Sequence, residues 1–170
     1  QLLSYVGRVM QGDLGSSYYF NVPVLDLILE RLGPTLLLVV TALLLAIFIG
    51  TLFGIIASQR PNGVFSHFIT ILALVGFSAP VFWTAFLLII LFVAILQIMP
   101  LSGLAEPGVE TGTFSYFLDV AHHLILPVLS LSSIYLAQYS RLARASMMDI
   151  LGSDYIRTAR AKGLGQRVII

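Results

Sequence analysis

The chain has 170 residues, 58% of them hydrophobic and only 10% charged, with a formal net charge of +1 and no cysteine. Water-soluble domains carry about 25% charged residues, so these charges are too few to cover a soluble globule, and both a soluble enzyme and a disordered chain are excluded. The lack of cysteine removes disulfides and thiolate metal sites.

A mean hydropathy of +0.99 points to a membrane chain, whose natural unit of counting is the span. The expected fold class is all-α, a polytopic membrane helix bundle. No stretch reads as a signal peptide, and the Gln1 start reads as a cut.

Residues 1–33 are moderately polar and form an extracytoplasmic segment. Within them, Val22-Pro23-Val24 leads into LDLILERLG, where Leu25, Ile28, Leu29 and Leu32 share one face. That spacing predicts a short amphipathic helix, lying at the outer interface or packed on the bundle. The first span is predicted over 34–57, a charge-free run of ~36 Å as a helix, with Pro34 in its first turn. Ala42, Ala46, Gly50, Gly54 and Ser58 recur every fourth residue along it, a face on which a neighbouring backbone can approach closely. Ala46, Gly50 and Gly54 are the candidate packing residues.

A second span is predicted over 66–99. The apolar run from Phe65 to Met99 is ~52 Å as a straight helix, too long for the bilayer unless it tilts or bends. Pro80, which cannot donate to the carbonyl of Gly76, marks the expected kink in one continuous span. Residues 100–121 are an outer loop rich in Gly and Pro. The third span is predicted over 123–145, with Pro127 bending its entry, and it closes the transmembrane region 34–147. Ser130, Ser133, Ala137 and Ser140 fall on one face, which turns toward protein or a watery path. Ser78, Pro80, Ser130, Ser133 and Ser140 are the candidate path residues.

Basic residues set the orientation. With three spans, Arg60, Arg141, Arg144, Arg157, Arg160, Lys162 and Arg167 fall on one side, the cytoplasm. Arg8 and Arg31 lie outside with Asp13, Asp26, Glu30, Glu106, Glu110 and Asp119.

The cytoplasmic loop 148–170 follows the third span. Gly152-Ser153 breaks the preceding helix, Ser153 is placed to cap a new one, and Asp154 suits its positive end. A helix over Asp154–Lys162 is predicted, with Tyr155, Ile156 and Ala159 as its apolar strip and Gly163 as its stop. A basic helix joined directly to a span either rests on anionic lipid or docks into a partner's groove.

Other chemistries find little support. There is no GxxxxGK[ST], so no phosphate loop binds ATP here. His122 and His123 are adjacent and point in different directions on a helix, with no third ligand at matching spacing, so no metal site is expected. Asp119 beside them has no nucleophile in a fixed relation, and no enzyme activity is expected. The basic tail is explained by positive-inside placement, so no nucleic acid partner is expected. A secondary transporter or a membrane anchor remains the alternative, although charge-free spans lack the intramembrane ionisable residue a secondary transporter needs.

The segment DYIRTARAKGLG resembles the cytoplasmic EAA loop of bacterial ABC importer permeases, of the dipeptide/oligopeptide/nickel branch. The last Ala of that pattern falls on Ala159 and its Gly on Gly163, while Arg157 and Thr158 stand where Glu and the first Ala would be. GDLGSS at Gly12–Ser17, PVLDLILERLGPTL at Pro23–Leu36, SAPVFW at Ser78–Trp83 and RLARASMMDILGSDY at Arg141–Tyr155 resemble the same branch in the same order.

This resemblance implies a type I ABC importer permease fold in the bacterial cytoplasmic (inner) membrane. The chain would supply about three of its spans, the second to the fourth, with one expected before Gln1 and two after Ile170. It further implies a second homologous permease subunit, two cytoplasmic ABC ATPase subunits that hydrolyse ATP, and an extracytoplasmic solute-binding protein, with no cofactor bound by this chain. Asp154, Tyr155, Arg157, Thr158, Ala159, Arg160, Ala161, Lys162 and Gly163 would then form the ATPase-coupling helix and its stop.

Overall fold

The computed structural model describes residues 2–165. The chain divides into two compact units, Gln1–Val39 and Val40–Ile170.

In the first unit, helix α1 (Leu2–Met10) ends in a turn with Gly12 at φ 84°. The Asp13 carboxylate accepts a hydrogen bond from the Gly15 amide at 3.0 Å. The chain then folds back so that Ser16 bridges Pro23, with the Ser17 amide donating to Val22 O at 2.9 Å and the Val24 amide to Gly15 O at 3.0 Å. This small hairpin delivers the chain to helix α2, Val24–Gln59.

The course of α2 corrects the sequence reading. The amphipathic segment and the apolar span that were expected as two helices form one, and Pro34 lies inside it rather than in a first turn. Proline removes the donor for the Glu30 carbonyl. In the same turn the Thr35 hydroxyl donates to Arg31 O at 2.7 Å, so the helix keeps a polar contact where the ladder is weakened.

In the second unit, the part of α2 from Val40 onward buries Ala42, Ala46, Gly50, Gly54, Ala57 and Ser58. The element packed against this stripe is α5, Phe114–Leu151. A β-carbon at Gly54 would lie 2.5 Å from Ser140 O and 2.9 Å from Arg144 N, so the two backbones touch and no larger residue fits. Ser132, Ala137 and Ser140 of α5 are buried. Large side chains such as Leu44, Phe48, Phe68 and Phe82 face outward, an arrangement suited to an apolar solvent.

Helix α3 (Val64–Ser78) and helix α4 (Val81–Ile89) both pack on α5. They replace the single kinked span expected over 66–99. The axes of Val64–Gly76 and Val81–Ile95 differ by 103°, far more than a proline kink. The residue before proline is driven out of the helical region, and here Ala79 (ψ 128°) and Pro80 (ψ 137°) are both extended. Pro80 O then accepts from the amides of Trp83 at 3.0 Å and Thr84 at 3.2 Å, which makes Pro80 the start of α4. The helix continues as a π-helical stretch, Ile90–Ile95, and the chain leaves it with Gln97 at φ 54°.

Helix α5 is also longer than predicted, starting nine residues before 123 and ending six after 145. Thr113 caps it, its hydroxyl accepting from the Tyr116 amide at 3.2 Å, and Pro127 is carried inside. Asp119, which the sequence reading placed in the outer loop, and His122 lie on α5 and hold the real loop in place. Asp119 Oδ2 accepts from the Glu106 amide at 2.6 Å, and His122 Nε2 donates to Ile98 O at 3.1 Å.

Helices α2 and α5 are each long and apolar enough to cross a membrane, and the α3–α4 pair adds a third crossing if it is one broken span. The architecture is all-α among the described residues, with one isolated bridge and no strand.

Candidate functional site

After Leu151 the chain makes a short break at Gly152-Ser153 and enters helix α6, Asp154–Ala161. Ser153 occupies the capping position with extended backbone (ψ 157°), but its hydroxyl donates backward to Ile150 O at 2.6 Å instead of accepting from the new helix. The break is thus tied to the end of α5. Asp154 sits in the first turn, where the helix end is positive. Its pair with Arg157 (3.3 Å) joins side chains that are 95% and 72% exposed, so it contributes little to stability. Thr158 donates to Asp154 O at 2.9 Å.

At the C-terminal end two of the orphan carbonyls, those of Ala159 and Arg160, are satisfied. Gly163 has φ 78°, its amide donates to Arg160 O at 3.0 Å, and the Leu164 amide donates to Ala159 O at 3.2 Å. These two bonds form the Schellman arrangement, which places its left-handed residue one beyond the cap, here after Lys162. A β-carbon at Gly163 would meet nothing within 4 Å, so glycine is needed for backbone conformation and not for room.

Of the predicted apolar strip, Ile156 is 5% exposed, Ala159 is half-buried and Tyr155 is 62% exposed. Arg157, Thr158, Arg160, Ala161, Lys162 and Gly163 are exposed. Arg160 and Lys162 have no acidic partner among the described residues. The helix therefore anchors itself by one isoleucine and offers a basic, small-residue face outward. Arg167 lies outside the described residues.

The five path candidates are not brought together. Ser78 and Pro80 are exposed and line a wide concavity of about 510 Å³ beside Trp83. Ser133 borders a second cavity, about 410 Å³, walled by Leu45, Gly76, Trp83 and Leu136. Ser130 borders a third, about 190 Å³, under the Pro100–Gly103 loop and beside His123. Ser140 is 2% exposed and packs on Gly50 and Gly54, a position in the helix seam and not on a cavity wall. The hydroxyls of Ser130 and Ser133 turn back onto Pro127 O (3.0 Å) and Ser130 O (2.7 Å) of their own helix. In an apolar setting that return satisfies a donor at no cost in water contacts.

His123 Nδ1 donates to Asp119 O at 2.9 Å and lies 3.3 Å from Asp119 Oδ1. No group of three metal-ligating side chains occurs among the described residues. Sequence reasoning passed over Arg144, whose guanidinium reaches Thr70 and Pro61. Its signal was a cation four residues after Ser140, next to a face expected to turn toward protein or a watery path.

Comparison with known proteins places this geometry. A family model described as binding-protein-dependent transport system inner membrane component matches residues 50–170. The chain belongs to this family. Members of the binding-protein-dependent inner membrane component family are non-enzymatic permease subunits with the type I ABC importer permease fold.

Relatives fall in the same group. The dipeptide transport system permease protein DppB of Escherichia coli (strain K12) is 38% identical over an alignment covering 100% of this chain and 56% of the relative. The oligopeptide transport system permease protein AppB of Bacillus subtilis is 36% identical, covering 100% and 53%. The di/tripeptide transport system permease protein DppB of Pseudomonas aeruginosa is 37% identical, covering 100% and 55%. The chain thus spans little more than half the length of these curated relatives. The match begins at Gly50, and so takes in the α2–α5 seam at Gly50 and Gly54, the α3–α4 break and all of α6.

Proposed function

We propose that the chain is part of the permease of an ATP-driven importer of peptides, in which α6 is the coupling helix that a cytoplasmic ATPase grips. The observation that carries this reading is α6 itself: a short basic helix, exposed on most faces, fixed at both ends and joined through two residues to a membrane-length helix. A lever needs stiffness, a surface that seats in a cleft and a firm attachment to the part it moves. Ala159, Ala161 and the Gly163 stop supply the first two, and the Ser153–Ile150 bond with buried Ile156 supplies the third.

In this reading two ATPase subunits bind and hydrolyse ATP, and this chain binds no cofactor. A second, similar permease completes the pathway, and an extracytoplasmic binding protein delivers the solute. Peptides are favoured as cargo because the relatives carry the names dipeptide, di/tripeptide and oligopeptide permease. The family match favours the importer over a secondary transporter or a passive anchor.

The test is peptide uptake by cells that depend on the full-length permease. Gly163→Glu forces a side chain onto a φ of 78° and puts negative charge on the docking face. Uptake should be lost while the permease still reaches the membrane. Intact uptake together with intact ATPase association would refute the assignment.

A further inference from the structure

Above α6, helix α5 carries a cation whose partners lie on other elements. Arg144 is half-buried. One guanidinium nitrogen donates to Thr70 Oγ1 of α3 at 2.7 Å, and the other terminal nitrogen donates to Pro61 O in the α2–α3 turn at 3.2 Å. Thr70 passes the contact on, its hydroxyl donating to Ser66 O at 2.8 Å. Ser66 is 1% exposed, so this chain of bonds ends inside the packed end of α3. On the other side, the backbone at Arg144 lies against α2, since a β-carbon on Gly54 would come within 2.9 Å of Arg144 N. Three elements therefore meet at one residue of α5.

We propose that Arg144 is the positioning residue that makes α2, α3 and α5 follow the coupling helix as one body. This rests on the reading of α6 as the ATPase lever. Helix α5 runs unbroken from Arg144 to Leu151, and the Ser153 hydroxyl ties the following break back to Ile150. Displacement of α6 thus reaches Arg144 through stiff helix. There the planar fork of the guanidinium holds two acceptors on separate elements at a fixed angle, which a lysine ammonium on a flexible stem cannot do. Neither acceptor is a carboxylate, so the link transmits position through hydrogen bonds to neutral acceptors.

The test uses the full-length permease assembled with its ATPases and binding protein in liposomes. Peptide transported per ATP hydrolysed is measured for Arg144→Lys, Thr70→Val and Thr70→Ser, alongside the amount of complex and its ATPase rate without binding protein. Thr70→Val keeps the shape and removes the hydroxyl, whereas Thr70→Ser keeps the hydroxyl. Arg144→Lys and Thr70→Val should lower transport per ATP about tenfold, the effect of losing one charged hydrogen bond, with complex and basal hydrolysis unchanged. Thr70→Ser should restore it.

A loss of transport that only tracks loss of complex, or wild-type coupling in Thr70→Val, would overturn the proposal and leave the link as a stabilising contact. If Arg144→Lys does not assemble, Thr70→Val decides alone. A wild-type complex that hydrolyses ATP with no permease-dependent response would overturn the lever reading itself, and with it this one.

Discussion

Along the α2–α5 seam, Gly50 and Gly54 let two helical backbones touch, with hypothetical β-carbons 2.9 Å and 2.5 Å from the carbonyls of Leu136 and Ser140. At the α3–α4 break, Ala79 and Pro80 turn two helices through 103° and leave open concavities beside Trp83. Both regions use the smallest or least helical residues of an apolar chain, and the α2 side of the seam and the α3–α4 break are both free of Asp, Glu, Lys and Arg. The seam gains contact from them and the break gives it up. In lipid, where burial of apolar surface drives little association, close backbone approach is a main source of helix cohesion. The seam is therefore suited to be the rigid part and the break the part that opens space, with α6 attached to the rigid part through α5.

The sharpest way to break this comparison is to enlarge the seam. Gly54→Ala places a methyl where no atom fits, and it should cost the full-length permease about 2–3 kcal/mol, read as a drop in thermal unfolding temperature in detergent. Gly76→Ala, facing Ser133 O at 3.2 Å from the α3 side, should cost less, about 1 kcal/mol or under. Equal losses at the two positions would show that the seam is no tighter than its surroundings.

Pro80→Ala tests the break. It restores an amide donor and frees Ala79 from its extended conformation, so the bend should decrease. Spin labels on exposed positions of α3 and α4, such as Leu74 and Phe86, should move apart while stability changes by about 1 kcal/mol or less. Smaller again is Asp154→Asn in α6, which removes an ion pair between exposed side chains and should alter stability by about 0.3 kcal/mol or less.

Where local chemistry decides structure, the residues were readable. The four-residue repeat Ala42–Ala46–Gly50–Gly54–Ser58 becomes the buried stripe of α2, and Asp154 and Gly163 bracket α6 as predicted. Local rules also misled. Gly33-Pro34 reads as a helix boundary, yet α2 passes through it, and Pro127 sits thirteen residues into α5. In an apolar solvent, ending the helix would strand more backbone groups than one proline frees, so membrane helices carry prolines where Ser or Thr side chains, neighbouring helices or local adjustments satisfy what the proline leaves open.

The same residue type broke the chain at Pro80, where Ala79 and Pro80 both went extended. Nothing local separates these three prolines. The contacts of Arg144 were illegible for a different reason: its partners lie 74 and 83 residues away, and only packing brings them near. The surroundings of the path serines were illegible in the same way: helical spacing puts Ser130, Ser133 and Ser140 on one face, while the neighbours of that face change along its length.

The lever reading meets its most direct test in a photo-crosslinker on Ala161, introduced as Ala161→Cys in a stretch that has no other cysteine. In the assembled full-length transporter it should capture the ATPase subunit, with a yield that changes between nucleotide-free and ATP-bound states. Capture of phospholipid alone, unchanged by ATP, would contradict a coupling role for α6.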